Sequence, residues 1–286
     1  MPAAPSVASP VAPFTLACLI AATLFMAALP IILYMRLRKP LELDRRAAIL
    51  GIGVFALFAM LIERGVNDLM LRVNPTVAGW LQNPTVFVIV GVLSIGICQE
   101  VGRYIGMRWL FRRASRKESA EAAASPSREP NALAYGLGHG GAELWFTGVI
   151  LQIQWIVFAW LEDTGRLGSA LSGLPLDTLM RIHLLVVSLT PAAAGVFMIE
   201  RGAALVFQLG LSLLMWRGVR RGSVAVLPFA IAVHALLEVP AALSQTQALS
   251  LVVVDTIYVL LAVPVAIALV RVFRRDAQAL QATRKG

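Results

Sequence analysis

The chain has 286 residues, 58% of them hydrophobic and 14% charged, with a formal net charge of +9. Soluble domains carry about 25% charged residues, so this balance excludes a soluble globular protein and points to one that lives in lipid. The excess of positive charge does not indicate nucleic acid. Its residues fall in short clusters (RLRK, RR, RWLFRR, RGVRR, RVFRR) at the ends of apolar runs, the signature of cytoplasmic loops rather than of a phosphate-binding face.

The opening MPAAPSVASPVAP (1–13) reads as a disordered tail. Several apolar runs of about 20 residues follow, long enough to span a bilayer as helices. They are too continuous for the alternating strands of a barrel, so the fold class is all-α, a polytopic membrane helical bundle. The first run, 14–35, is longer than a signal-peptide core and carries its basic flank on the C-terminal side. It reads as an uncleaved span with its N-terminus outside. The second and third spans cover about 47–70 and 84–107, separated by the turn signals of NPTVAGWLQNP. RRASRKESAEAAASPSREP (112–130) has no apolar period and reads as a cytoplasmic linker. The fourth span, about 131–161, contains GLGHGGAEL.

The stretch 181–217 admits one span or two, and charge decides. Two spans would put RGVRR and the basic C-terminus outside, whereas one span from about 190 keeps every basic cluster inside. With further spans at about 223–246 and 249–271, the expectation is about seven transmembrane helices. They form a single domain over 14–271, with the C-terminus and a basic tail at 272–286 on the cytoplasmic side. Cys18 and Cys98 both fall inside spans, so neither a disulfide framework nor a four-cysteine metal site is expected.

Ionisable residues inside a span are functional candidates, because isolated charges cost several kcal/mol in hydrocarbon. At roughly 1.5 Å per residue, Glu100 and Arg103 lie roughly 6–10 Å from the cytoplasmic end of the third span. His139 lies roughly 12 Å and His234 some 16 Å into their spans, with Glu143 and Glu238 one turn deeper. Glu200 falls near the middle of the fifth. His139/Glu143 and His234/Glu238 are i,i+4 pairs that share a helix face, and Arg103 can neutralise Glu100 at i,i+3. Gly136, Gly138, Gly140 and Gly141 permit close helix approach and leave room beside His139 for water or a substrate backbone.

Taken singly, these residues have plainer readings. Glu100/Arg103 reads as an ion pair at a helix end, Glu200-Arg201 as a buried strut, and each histidine as a hydrogen-bonded core residue. Together, Glu and His from four non-adjacent helices at overlapping depths point to a reactive cavity in the inner half of the membrane. Glu63 and Arg64, placed towards the outer end of the second span, read as structural, as does the interfacial His183. Gln99 and Asp255 are too isolated to interpret. Trp80, Trp109 and Trp216 sit where interface anchors are expected.

A carboxylate beside neutral imidazoles can activate water as a general base while the histidines stabilise an oxyanion or protonate a leaving amine. Alternatively, two His and one Glu could hold Zn²⁺. HExxH is absent, so such ligands would come from separate helices.

CQEVGRY, YGLGHGGAEL, MIERGAALVF and HALLEV, in this order, resemble motifs of the YhfC-type intramembrane peptidases. That family is regarded as a distant relative of the CAAX-prenyl-protease and bacteriocin-processing (CPBP) superfamily. The resemblance covers roughly 14–271. It implies intramembrane proteolysis with Glu100, His139 and His234 as the catalytic or metal-binding set, supported by Arg103, Glu143, Glu200 and Arg201. The superfamily shows a double glutamate where this chain has Gln99-Glu100, and Asn or Asp where it has Glu238.

The function expected is peptide-bond hydrolysis near the cytoplasmic side of a bacterial inner membrane, on a membrane-embedded or membrane-delivered substrate. Glu100 is expected to act as base, held by Arg103, with His139 and His234 binding an oxyanion or zinc. Glu143 and Glu238 would fix the imidazole tautomers. The alternatives are an inactive relative that binds peptides or partner proteins, favoured by Gln99, and a proton-coupled transporter.

Overall fold

A computed structural model describes residues 11–72, 74–121 and 129–285. Residues 1–10 of the tail expected at 1–13 and residues 122–128 of the linker expected at 112–130 lie outside them.

Ten helices follow one another among the described residues. They are α1 (Pro13–Leu37), α2 (Arg45–Arg72), α3 (Pro75–Trp80), α4 (Pro84–Glu121), α5 (Pro130–Asp163), α6 (Leu167–Ala170), α7 (Leu176–Val187), α8 (Pro191–Arg220), α9 (Val226–Gln245) and α10 (Leu251–Lys285). Seven of them, α1, α2, α4, α5, α8, α9 and α10, are long and apolar enough to cross a membrane. With no strand among the described residues, the chain is an all-α, multi-pass integral membrane protein.

Starts are set by local chemistry. Asp44 caps α2 by accepting from the Arg46 amide at 2.9 Å, and Asn83 caps α4 by accepting from the Thr85 amide at 2.9 Å. The ambiguous region resolves as one span: α7 stops at Ser188, and α8 begins at Pro191, a residue suited to the first helical turn. The linker expected from 112 starts later, because α4 continues to Glu121. RRASRKESAE supplies Ala, Arg, Lys and Glu, which are good helix formers. The basic tail expected from 272 is likewise helical as far as Lys285.

Two spans change winding midway. Ala56–Glu63 of α2 and Leu144–Val149 of α5 are π-helical. Such segments insert an extra residue per turn and are frequent at functional sites.

The chain divides into two compact units, 1–29 with 144–201, and 30–143 with 202–286. In the first, Val11, Ala159 and Val186 form one core and Leu19, Ala22 and Ala194 another. The Val11 amide donates to Asp163 Oδ1 at 3.1 Å, and Gln152 Nε2 donates to the Leu19 carbonyl at 3.2 Å. In the second, the core gathers Ala47, Met107, Ala132, Tyr135, Met215 and Trp216. Trp216 is fully buried and meets Phe111 edge to face at 6.4 Å. It is a core residue, not an interface anchor, because α8 turns its indole inward. Trp80 and Trp109 are exposed, as anchors should be.

The glycines of GLGHGGAEL have a packing reason. A Cβ on Gly138 would lie 2.0 Å from the Ala48 carbonyl oxygen, and one on Gly51 would lie 2.2 Å from that of Tyr135. Helices α2 and α5 therefore touch backbone to backbone. Gly136 faces Ser212, Gly140 faces Gln208, and Gly141 faces Pro30. The space beside these glycines is filled by neighbouring helices, which corrects the expectation that it holds water or substrate.

Candidate functional site

The second unit brings Gln99, Glu100 and Arg103 of α4, His139 and Glu143 of α5, Gln208 and Ser212 of α8, and His234 of α9 into one network. All eight are buried, and Glu100, Arg103, His139 and Ser212 are fully inaccessible.

Arg103 organises it. Its Nε donates to Glu100 Oε1 at 3.1 Å, and Nη1 donates to the Gln208 carbonyl at 3.0 Å and to Ser212 Oγ. Its Nη2 donates to Gln208 Oε1. A guanidinium has no acceptor, so each of these bonds fixes the direction of the next. With its oxygen taken by Arg103, the Gln208 amide turns Nε2 outward, donating to Glu143 Oε2 and, at 3.3 Å, to Gln99 Oε1. Gln99 Oε1 also lies 3.2 Å from His139 Nε2. An amide oxygen only accepts, so His139 carries its proton on Nε2. Its Nδ1 is then a lone-pair nitrogen, buried and without a hydrogen-bond partner.

The same logic sets His234. Its Nδ1 lies 2.8 Å from Glu100 Oε1 and donates to it, leaving Nε2 as the ring nitrogen that this bond does not use. That nitrogen is buried with no hydrogen-bond partner and stands 3.8 Å from Glu238 Oε1. Two buried imidazoles therefore each have one nitrogen tied to a fixed acceptor and the other open. A bland core histidine would have both satisfied.

Roles within the predicted set shift. Glu100, expected as a base, already accepts from Arg103 and His234. The tautomers are held by Gln99 and Glu100, whereas Glu143 contacts Gln208 and Glu238 faces the open side of His234. Glu200 and Arg201 belong to the other unit, where they pair with each other and Arg201 Nη1 reaches Thr147 Oγ1 at 3.1 Å. His183 pairs there with Glu162 at 2.9 Å.

Three participants escape the sequence reading. Gln208 and Ser212 are an i,i+4 polar pair in an apolar span, the one signal that could have found them. The sequence reading took Glu63 as structural and far in depth from this cluster. In the structure it closes the π-helical segment of α2, near enough to His234, Glu238 and Glu143 for direct charge interaction. Its Oε2 is buried without a hydrogen-bond partner. Among the described residues, no group of three or more His, Cys, Asp or Glu side chains is placed where it could hold a metal ion.

Comparison with known proteins agrees with this architecture. The family model described as YhfC intramembrane metalloprotease matches residues 25–259. The protein of Bacillus subtilis (strain 168) called "Uncharacterized membrane protein YhfC" is 32% identical over 219 residues, covering 76% of this chain and 80% of its own. No solved structure matches. The chain belongs to the YhfC intramembrane metalloprotease family.

Proposed function

We propose that the chain hydrolyses a peptide bond of a membrane-embedded or membrane-delivered substrate, in the inner half of the bilayer beside His139 and His234. One observation carries this reading: both imidazoles are buried with one nitrogen fixed and the other left open. Imidazoles oriented by a second acceptor are the donor type that a divalent metal such as zinc takes as ligands, so the two histidines offer the donor type that the family's description implies, while no group of three such side chains stands together among the described residues. His234 through Nε2 and His139 through Nδ1 would hold such a metal. When bound, such an ion supplies Lewis acidity to the scissile carbonyl and to the attacking water.

The chain's own groups do the rest. Glu100 sits on the Nδ1 edge of His234, and a metal would be held from the opposite edge, so Glu100 orients the ring rather than binding beside it. Arg103 supplies the countercharge that makes a buried Glu100 tolerable. Gln99, where the superfamily that the sequence resembles has glutamate, serves as the acceptor for His139. That role gives the amide a use in an active enzyme and favours hydrolysis over the inactive-binder alternative. Glu143, turned by the Gln208 amide, is the better placed general base, since Glu100 already accepts two charge-assisted bonds. It takes the proton from water and returns it to the leaving amine.

The test compares membranes from cells expressing the chain or its His234→Ala variant, mapping new protein termini by mass spectrometry. Termini present with the wild type and absent with the variant are expected. Identical sets in the two samples would overturn the reading.

A further inference from the structure

A groove of about 330 Å³ lies within the second unit, and none of the residues that line it belongs to the network around Arg103. Its walls include Leu33 and Leu37 of α1, Leu137 of α5, Leu209 of α8, and Ala266 and Phe273 of α10. Leu209 is held from behind: Gly136 lets α5 approach α8 so closely that a Cβ there would lie 3.0 Å from Leu209 Cδ2. The volume falls within the roughly 300–1,000 Å³ of ligand pockets. Of the lining residues only Arg274 is polar.

That guanidinium gives the groove a polar end and an apolar end. From Ala266 to Arg274 the wall on α10 rises roughly 12 Å at ~1.5 Å per residue. One leaflet of a hydrocarbon core ~30 Å thick is roughly 15 Å deep. An acyl chain laid along the groove with its end at Ala266 would therefore bring a headgroup phosphate to Arg274. Arg274 is exposed and makes no ion pair among the described residues. Pro40 lines the same groove, and Arg38 and Lys39 just before it are exposed. Residues 36–42 and 271–277 together carry six basic residues and two acids, so positive charge prevails around the mouth. Of the two acids, Asp276 stands within charge-interaction range of Arg217 and Arg220 on α8 and does not pair with Arg274.

We propose that this groove binds one anionic phospholipid, with an acyl chain between α1, α5, α8 and α10 and its phosphate on Arg274. A guanidinium presents a planar fork of donors that matches phosphate oxygens. The plainer occupant is a boundary lipid of any headgroup, since a groove in hydrocarbon is covered by some lipid chain. Charge separates the two. Each basic residue beside an anionic headgroup strengthens binding about fivefold, and a headgroup without net charge gains little from it. Lipid binding here stands whether or not His139 and His234 carry out hydrolysis.

The experiment is native mass spectrometry of the purified full chain in detergent with added dioleoylphosphatidylglycerol or dioleoylphosphatidylcholine, which share their chains and differ in charge. Wild type is expected to retain one phosphatidylglycerol about tenfold more tightly than phosphatidylcholine, as more than one basic residue beside a headgroup would give. Arg274→Gln should lower that preference about fivefold. Arg274→Lys, which keeps the charge, should retain most of it and guards against a folding defect in the amide variant. Ala266→Phe, which plugs the groove and leaves Arg274 in place, should weaken retention of both lipids. Arg113→Gln, at a basic residue outside the groove, should behave like wild type. Retention of neither lipid by wild type, equal retention of both, or unaltered phosphatidylglycerol binding in either Arg274→Gln or Ala266→Phe would overturn the proposal. A lipid-free dimer would make a second copy of the chain the occupant and would overturn it as well.

Discussion

Arg103 donates to the side-chain oxygen of Gln208, and that one bond decides which nitrogen of His139 is open. The amide of Gln208 cannot present oxygen to both sides, so Gln99 must receive its N–H, and His139 must donate to Gln99 in turn. A charge on α4 thereby sets a tautomer on α5 through a side chain of α8. Breaking the relay at its middle should show at its end. Gln208→Leu is expected to leave the fold intact and to change the ¹⁵N signature of His139 from a single Nε2-protonated tautomer to a mixture. Loss of the oriented imidazole should lower metal affinity or turnover by about 10–100-fold. An unaltered tautomer in that variant would detach Gln208 from the mechanism.

Gln99 gives a sharper contrast. Gln99→Glu keeps an oxygen acceptor for both His139 Nε2 and Gln208 Nε2, so activity should survive. Gln99→Leu removes the acceptor and should cost about 10–100-fold, as loss of an outer-sphere partner does. Equal activity of the two variants, measured by the same terminus mapping, would mean that His139 needs no partner.

The Glu100–Arg103 pair is fully buried. Removing one member leaves an uncompensated charge, which costs about 3–5 kcal/mol. Glu100→Gln should therefore lower the thermal unfolding midpoint in detergent markedly. Glu100→Gln combined with Arg103→Met should recover part of the loss, because both charges are then gone. A double variant as unstable as the sum of the singles would show that the two residues are energetically independent.

Backbone contact between α2 and α5 predicts a large asymmetry among glycines. Gly138→Ala drives a methyl against the Ala48 carbonyl, whereas Gly53 has open space around its Cβ position. The first should destabilise by about 1–3 kcal/mol or more, as overpacking does. The second should be neutral or slightly stabilising, since alanine is the better helix former. Melting curves of the two variants decide this directly.

Much of the architecture was legible because bilayer physics writes it in long apolar runs and basic loops. The single span at 191–220 followed from the positions of RGVRR and RVFRR alone. The pairing of Glu100 with Arg103, and of His234 with a carboxylate, also followed from charge that lipid will not tolerate unpaired. What could not be read was which partner each histidine has. Spacing suggested Glu143 and Glu238, one turn away on the same helix, but tertiary contacts supply Gln99 and Glu100 from another. Glu63 was set aside for a similar reason: depth counted along its own helix does not say which side chains of other helices stand near it. Trp216 was misread because position near a span end does not say which way a side chain faces.

The most direct test of hydrolysis at the buried histidines is to co-reconstitute the purified chain with membrane proteins whose termini it alters. The proteoliposomes are incubated in H₂¹⁸O, and the new C-termini are analysed by mass spectrometry. This account predicts ¹⁸O-labelled carboxyl termini within apolar segments with wild type and none with His234→Ala or Glu143→Gln. Labelled termini that persist in His234→Ala, or none with wild type, would contradict it.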